Sequence, residues 1–134
     1  MIRQIVYLDT SVALYAILRN PERERVRSWL QTSGMTVVSS RLLRTEVIRT
    51  LRRENRPLTD GAPLFDRVGM LATTRESYTV AESIERHVKT LDALHLATAL
   101  LIGEPVTVAT HDQTMQSVAG HLGLPVTDPV VPRR

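Results

Sequence analysis

Four acidic residues, Asp9, Glu46, Asp92 and Asp112, have the type and placement to do chemistry in this chain. Asp9 directly follows the apolar run Ile5-Val6-Tyr7-Leu8, and Asp112 follows the apolar run that ends at Ala109. Both runs read as strands, and in open parallel sheets sites gather beyond the carboxyl ends of the strands. Glu46 falls on the flank of the apolar face Leu43, Val47, Ile48 and Leu51 of a helix expected over residues 41–54, and Asp92 opens a helix expected from Thr90. Taken singly, each acid has an ordinary role: Asp9 and Asp92 as acids at helix starts, Glu46 as an i,i+3 partner of Arg49, Asp112 in a turn. Taken together they would repel one another, and burying unpaired carboxylates is costly. A cation resolves that conflict. With no cysteine and no histidine pair at ligand spacing, hard oxygen donors suit magnesium, with manganese as a substitute. Such an ion makes hydroxide from bound water and neutralises charge on a phosphate being displaced. Without it, at least one acid is expected to hold its proton more tightly than an isolated carboxylate.

The elements that position these residues alternate along the chain. Strands are expected at Ile5 to Leu8, Thr36 to Val38, Pro105 to Ala109 and Pro125 to Thr127. Helices are expected from Val12 to Leu18, from Pro21 to the stop at Gly34, over 41–54, from a Thr90 cap to Ile102, and from Gln113 to Leu122. Asn55 to Gly61 reads as a loop, and the stretch after it as helices near Pro63 to Leu71 and Val80 to Val88 with a short edge strand between them. In the helix after Thr90, Asp92, His95 and Thr98 recur every third residue as one narrow polar stripe on an otherwise apolar, enclosed element. Strands and helices alternating over short connections imply an α/β fold, a parallel sheet sandwiched between helices with right-handed crossovers.

Composition bounds the rest. At 134 residues, 43% hydrophobic and 23% charged, the chain has the length of a single domain, 1–134, able to bury about two-thirds of its surface without disulfide or metal staples. The absence of cysteine excludes a disulfide scaffold, a thiol nucleophile and a thiolate zinc site. The longest mainly apolar stretch, Leu91 to Ile102, falls well short of the roughly 18 residues of a membrane span, and the opening MIRQIVYLDT shows no basic leader or cleavage site, so a cytoplasmic location is expected. Charge is uneven: between Arg19 and Arg56 ten arginines stand against four glutamates, a surplus of +6. This is either a phosphate-contacting surface, which the planar arginine fork suits, or a solvated surface in an arginine-rich protein. Arg49 and Arg53, on the Glu46 side of their helix, are the arginines best placed for phosphate contact.

At these residues the sequence resembles the PIN-domain nucleases. LDTSVAL (Leu8 to Leu14), Glu46 within SSRLLRTEVIRTL, LDALHLATAL (Leu91 to Leu100) and VATHDQTM (Val108 to Met115) look like that family's acidic motifs, in order and over nearly the whole chain. At this length the similarity is to the VapC toxins of type II toxin–antitoxin pairs. The resemblance implies a three-layer α/β/α sandwich on a central, mainly parallel sheet, magnesium-dependent endoribonuclease activity, a homodimer, and inhibition by a VapB-type antitoxin. It carries over Asp9 and Asp92 as metal positions, Asp112 and Glu46 as completing the acidic pocket, and Thr10 and Thr110 as hydroxyls supporting the first and last acids. Residues 57–85 fall where the family varies.

Other residues read as structure or stay open. His95 reads as a hydrogen-bonded structural histidine rather than a pocket group, and His111, beside Asp112, as either a substrate contact or an exposed loop residue. His87 and His121 have no partner at ligand spacing, and Trp29 reads as core packing through its spacing with Val26 and Leu30. Two rivals remain. A receiver-type phosphoacceptor domain needs paired acids at the first strand and a lysine after the last core strand, whereas LDTS offers one acid and Lys89 precedes Asp92. A PIN-like domain that binds RNA or a partner without catalysis would keep the fold and leave the acids idle.

Overall fold

The apolar runs read as strands are buried on alternating sides, which requires a sheet covered by helices on both faces. The computed structural model describes residues 3–132. Its strands, β1 (Gln4–Leu8), β2 (Met35–Ser40), β3 (Gly69–Leu71), β4 (Val106–Ala109) and β5 (Val126–Thr127), are all parallel, in the order β3-β2-β1-β4-β5. The helices are α1 (Thr10–Ile17), α2 (Arg23–Leu30), α3 (Arg41–Arg53), α4 (Ala62–Arg67), α5 (Arg75–Glu82), α6 (Thr90–Leu100) and α7 (Gln113–His121). Val6, Leu8 and Val37 turn toward a core with Val12, Val26, Val47, Leu51 and Leu64 of α1 to α4. Tyr7 and Val108 turn the other way, toward Leu96 and Ala99 of α6 and Met115, Val118 and Ala119 of α7. The result is a three-layer α/β/α sandwich.

Strand order places the site. The chain adds β2 and β3 on one side of β1, then crosses to add β4 and β5 on the other, so connections leave the carboxyl ends of β1 and β4 in opposite directions. A crevice opens at such a switch point. Leu8 pairs in register with Ala109 there, and the Asp9 N–H donates to the Ala109 carbonyl at 2.9 Å. The residues that leave the two strands, Asp9 and Thr110, are thereby side by side.

Several local expectations are corrected. Pro21 lies in a turn, and α2 begins only at Arg23 behind an αR-conformation Glu22. The helix expected from Pro63 to Leu71 stops at Arg67, because Gly69–Leu71 joins the sheet beside Val38 to Ser40 as the edge strand. The Arg67 guanidinium secures that exit by donating to the Leu30 and Met35 carbonyls at 2.7 and 2.9 Å. The helix expected over Val80 to Val88 instead runs from Arg75 to Glu82, started by a reciprocal Thr74–Ser77 capping box. Thr90 is the first residue of α6 rather than its cap; extended Lys89 takes that position. Leu58–Gly61 forms a 3-10 turn inside the expected loop. α2 ends at Leu30, short of the stop expected at Gly34, and α6 ends at Leu100 rather than Ile102; Gly34 and Gly103, both with φ of 78°, turn the chain toward β2 and β4 after those ends.

Candidate active site

Four helices, α1, α3, α6 and α7, begin at the carboxyl edge of the sheet or immediately after its strands, and each contributes an acid from its start or early turns. Their positive ends favour negative charge there. Asp9 occupies the N-cap position of α1 yet makes no cap hydrogen bond. Its Oδ2 instead accepts from the Ser11 hydroxyl at 2.7 Å and the Thr110 hydroxyl at 2.8 Å, with the residue 3% exposed. The reading of Asp9 as an ordinary helix cap is therefore excluded by its geometry. Thr110 is tied in turn to the last acid, because the Asp112 N–H donates to its Oγ1 at 3.1 Å. Asp112 does cap α7, its Oδ1 accepting from the Met115 N–H at 2.9 Å, which leaves Oδ2 without a partner of that kind.

Glu46 turns away from Arg49 and into the protein. Its Oε1 accepts from the Thr10 hydroxyl at 2.9 Å and lies 2.6 Å from Nε2 of His95. Thr10 thus supports the second acid, Glu46, rather than Asp9, the first, as the resemblance had implied; the first acid's hydroxyl partners are Ser11 and Thr110.

Asp92, in the first turn of α6, gathers the set electrostatically. Its pKa is raised from 3.8 to about 6, first by burial and then by the negative charge of Asp9, with Asp112 and Glu46 adding to the rise and His95 opposing it. All three other acids therefore act on one carboxyl group, with no hydrogen bond relieving the charge. Among the described residues no three acid or imidazole side chains close tightly enough to hold an ion by themselves. The donors are hard carboxylate oxygens, whose chemistry fits a cation that takes few carboxylates and keeps much of its water shell.

His95 is fully buried and hydrogen-bonded, the structural histidine the sequence suggested, but its partner is one of the acids. His111 is a half-buried loop residue whose Nδ1 lies 2.9 Å from Asp128 Oδ2 and whose ring meets Tyr15 edge-on. Trp29 packs against the core of α1 to α4, and His87 and His121 are exposed away from the acids' hydrogen bonds. Arg49 and Arg53 are exposed on α3 and form no ion pair among the described residues. Tyr7, Ser11 and Asp128 were not singled out from sequence. Tyr7 was accessible to it: alternation along VYL puts Tyr7 opposite Val6 and Leu8, on the face where the polar stripe of α6 must pack.

The PIN domain family profile matches residues 6–121. Ribonuclease VapC46 of Mycobacterium tuberculosis is 32% identical over 127 residues, covering 92% of this chain and 97% of that protein. Ribonuclease VapC47 from the same species is 30% identical over 132 residues, covering 93% and 97%. Among solved structures, VapBC2 from Rickettsia felis bound to a promoter DNA fragment superposes with a TM-score of 0.72 at 14% identity, covering 93% of this chain and 98% of that one. A toxin–antitoxin complex from Klebsiella pneumoniae gives 0.69 at 16% identity, covering 92% and 97%. The chain belongs to the PIN-domain family, within its VapC branch. That membership removes the receiver-type reading.

The raised pKa of Asp92 has a signed consequence for folding. The unfolded chain releases this proton near the ordinary carboxyl range while the folded chain holds it to about pH 6, so stability falls as pH rises through that window. In EDTA, Asp92→Asn is expected to melt above the unsubstituted protein at neutral pH, with the gap closing below the ordinary carboxyl range. Equal midpoints at neutral pH, by calorimetry, would contradict the crowding of charge on Asp92.

Proposed function

We propose that the chain is the ribonuclease toxin of a type II toxin–antitoxin pair, a magnesium-dependent endoribonuclease that cuts cellular RNA at the carboxyl edge of its sheet. The observation that carries this reading is the bonded network that ties Asp9, Asp112 and Glu46 to the sheet edge through Ser11, Thr110 and Thr10, beside an Asp92 carboxyl whose pKa is raised by burial and then by the charge of the other acids. Repulsion of that kind favours a cation, and a cation beside a polyanionic substrate serves phosphodiester hydrolysis. When bound, the metal supplies a nucleophile at neutral pH and stabilises charge on the phosphate.

The chain's own residues divide the remaining work. Asp9, its Oδ2 fixed by Ser11 and Thr110, and Asp92 are the principal metal-holding groups. Glu46 and Asp112 complete the acidic pocket, and Glu46 orients or accepts a proton from water at its free oxygen. Thr10 holds Glu46 and Thr110 joins Asp9 to Asp112. Manganese substitutes for magnesium through the same oxygen donors. Arg49 and Arg53, one helical turn and two beyond Glu46, guide the RNA backbone through its phosphates.

The similarity to VapC ribonucleases and the fold shared with toxin–antitoxin structures support the same reading. It brings a VapB-type antitoxin, which blocks the site by placing an arginine or lysine against Asp9 and Asp92 in place of the metal, and a homodimer acting in the cytoplasm. No described helix is long and apolar enough to cross a membrane. A PIN domain that binds RNA without cutting it is the alternative that the test must separate.

Asp9→Asn and Asp92→Asn are each expected to abolish metal-dependent RNA cleavage while leaving the melting temperature in EDTA unchanged or raised, since groups arranged for catalysis are held at a cost to folding. Unfolding with full activity per folded molecule would make the acid a structural group instead, and intact cleavage would leave the pocket idle. In an Asp9→Asn background, replacing Arg49 and Arg53 together with Ala is expected to weaken RNA binding across sequences and flatten its salt dependence. Unchanged affinity and slope in titrations at several salt concentrations would make the basic surplus a solvated surface.

A further inference from the structure

Behind Glu46 runs a line of polar groups sealed between β1 and α6. Tyr7 and His95 are both 0% exposed, in a setting where a phenol and an imidazole cost free energy unless every polar atom is bonded. They are bonded to each other, Tyr7 Oη lying 2.6 Å from His95 Nδ1 with the rings edge to face. His95 Nε2 lies 2.6 Å from Glu46 Oε1, and the Ser40 N–H at the start of α3 donates to Tyr7 Oη at 3.0 Å.

The direction of the protons follows from this chain. Burial pushes the Tyr7 hydroxyl well above its ordinary range, so it keeps its proton. With the Ser40 N–H already donating to Oη, the arrangement that satisfies both rings has the phenol donating to Nδ1 of His95. The imidazole proton then sits on Nε2 and is donated to Glu46 Oε1. With the proton on Nδ1 instead, Nε2 and a carboxylate oxygen would be two acceptors facing one another at 2.6 Å.

We propose that His95 is a positioning residue for the reaction assigned above. Its Nε2–H and the Thr10 hydroxyl pin Oε1 of Glu46 and present Oε2 to the site that Asp9 and Asp92 share, while Tyr7 fixes the tautomer that makes this donation available. Asp92 and His95 stand three residues apart on α6, so one helix carries both an acid of the pocket and the group that orients another. This inference rests on the reading of Glu46 as part of the active pocket.

Two measurements test it on the full chain. Nitrogen-15 NMR of the metal-free protein is expected to find His95 protonated on Nε2 and bare on Nδ1; a proton on Nδ1 overturns the inference whatever the enzyme does. Single-turnover RNA cleavage then supplies a cycle of His95→Leu with Glu46→Ala. His95→Leu is expected to slow cleavage about 30-fold with little change in RNA affinity, in line with other partners that orient a catalytic ligand. His95→Gln, which keeps a donor toward Glu46, is expected to recover most of that loss. In the Glu46→Ala background His95→Leu is expected to cost nothing further. Equal losses in both backgrounds, or no recovery with Gln, would make His95 a packing residue only. Full cleavage by Glu46→Ala alone would overturn the pocket assignment together with the positioning role, and the single variant tells that failure apart from a failure of His95.

Discussion

Repulsion among carboxylates gathered at one edge of a parallel sheet is the constraint that the surrounding structure answers. An all-parallel sheet sends every strand's carboxyl end, and the helix starts that follow, to the same edge. In this chain the switch in strand order between β1 and β4 brings Asp9 and Thr110 together, and α3 and α6 bring Glu46 and Asp92 from the two opposite layers. Three hydroxyls hold two of the oxygens that would otherwise repel freely, those of Ser11 and Thr110 on Asp9 Oδ2 and that of Thr10 on Glu46 Oε1. Asp92 has no such hydroxyl partner among the described residues, and its pKa is raised by burial first and then by the charge of the other acids.

The two layers do different work around that edge. On the side of α1 to α4 the core is mainly apolar, with Val12, Val47 and Leu51 closing on Val6 and Leu8 and buried Thr50 donating to the Glu46 carbonyl of its own helix. On the side of α6 and α7 the packing admits a line of buried polar groups from Ser40 through Tyr7 and His95 to Glu46, each bonded to the next. No buried side-chain nitrogen or oxygen among the described residues lacks a partner, so this polar line is fully satisfied and fixes geometry rather than costing stability outright. Thr98, the last member of the polar stripe on α6, closes on its own helix by donating to the Leu94 carbonyl at 2.8 Å.

Much of this was legible in the residues. The strand runs, the acids at their ends and the polar stripe on α6 are local patterns of period and run length, and each survives in the structure. The stretch from Pro63 to Val88 was not legible, for identifiable reasons. The short edge strand expected here exists, but as Gly69–Leu71, inside the segment read as a helix, because three residues are too few to mark its place and pairing with β2 alone fixes it. Val80, Ile84 and Val88 repeat every fourth residue as a helix would, but the helix ends at Glu82; Ile84 and Val88 keep their apolar character because they pack against the α6 and α7 core from irregular backbone. The hydroxyl assignments depend on which side chain reaches which oxygen across the sheet edge. The family resemblance placed Thr10 and Thr110 at the site, yet only three-dimensional contact assigned Thr10 to Glu46 and Ser11 to Asp9.

The central claim is that the acids share a cation which relieves their repulsion. Thermal melts of the metal-free protein with millimolar magnesium and with EDTA test it most directly, because a ligand that binds only the folded chain raises the midpoint by mass action. The account predicts a higher midpoint in magnesium, with the rise lost in Asp9→Asn. Identical midpoints in magnesium and EDTA would contradict it.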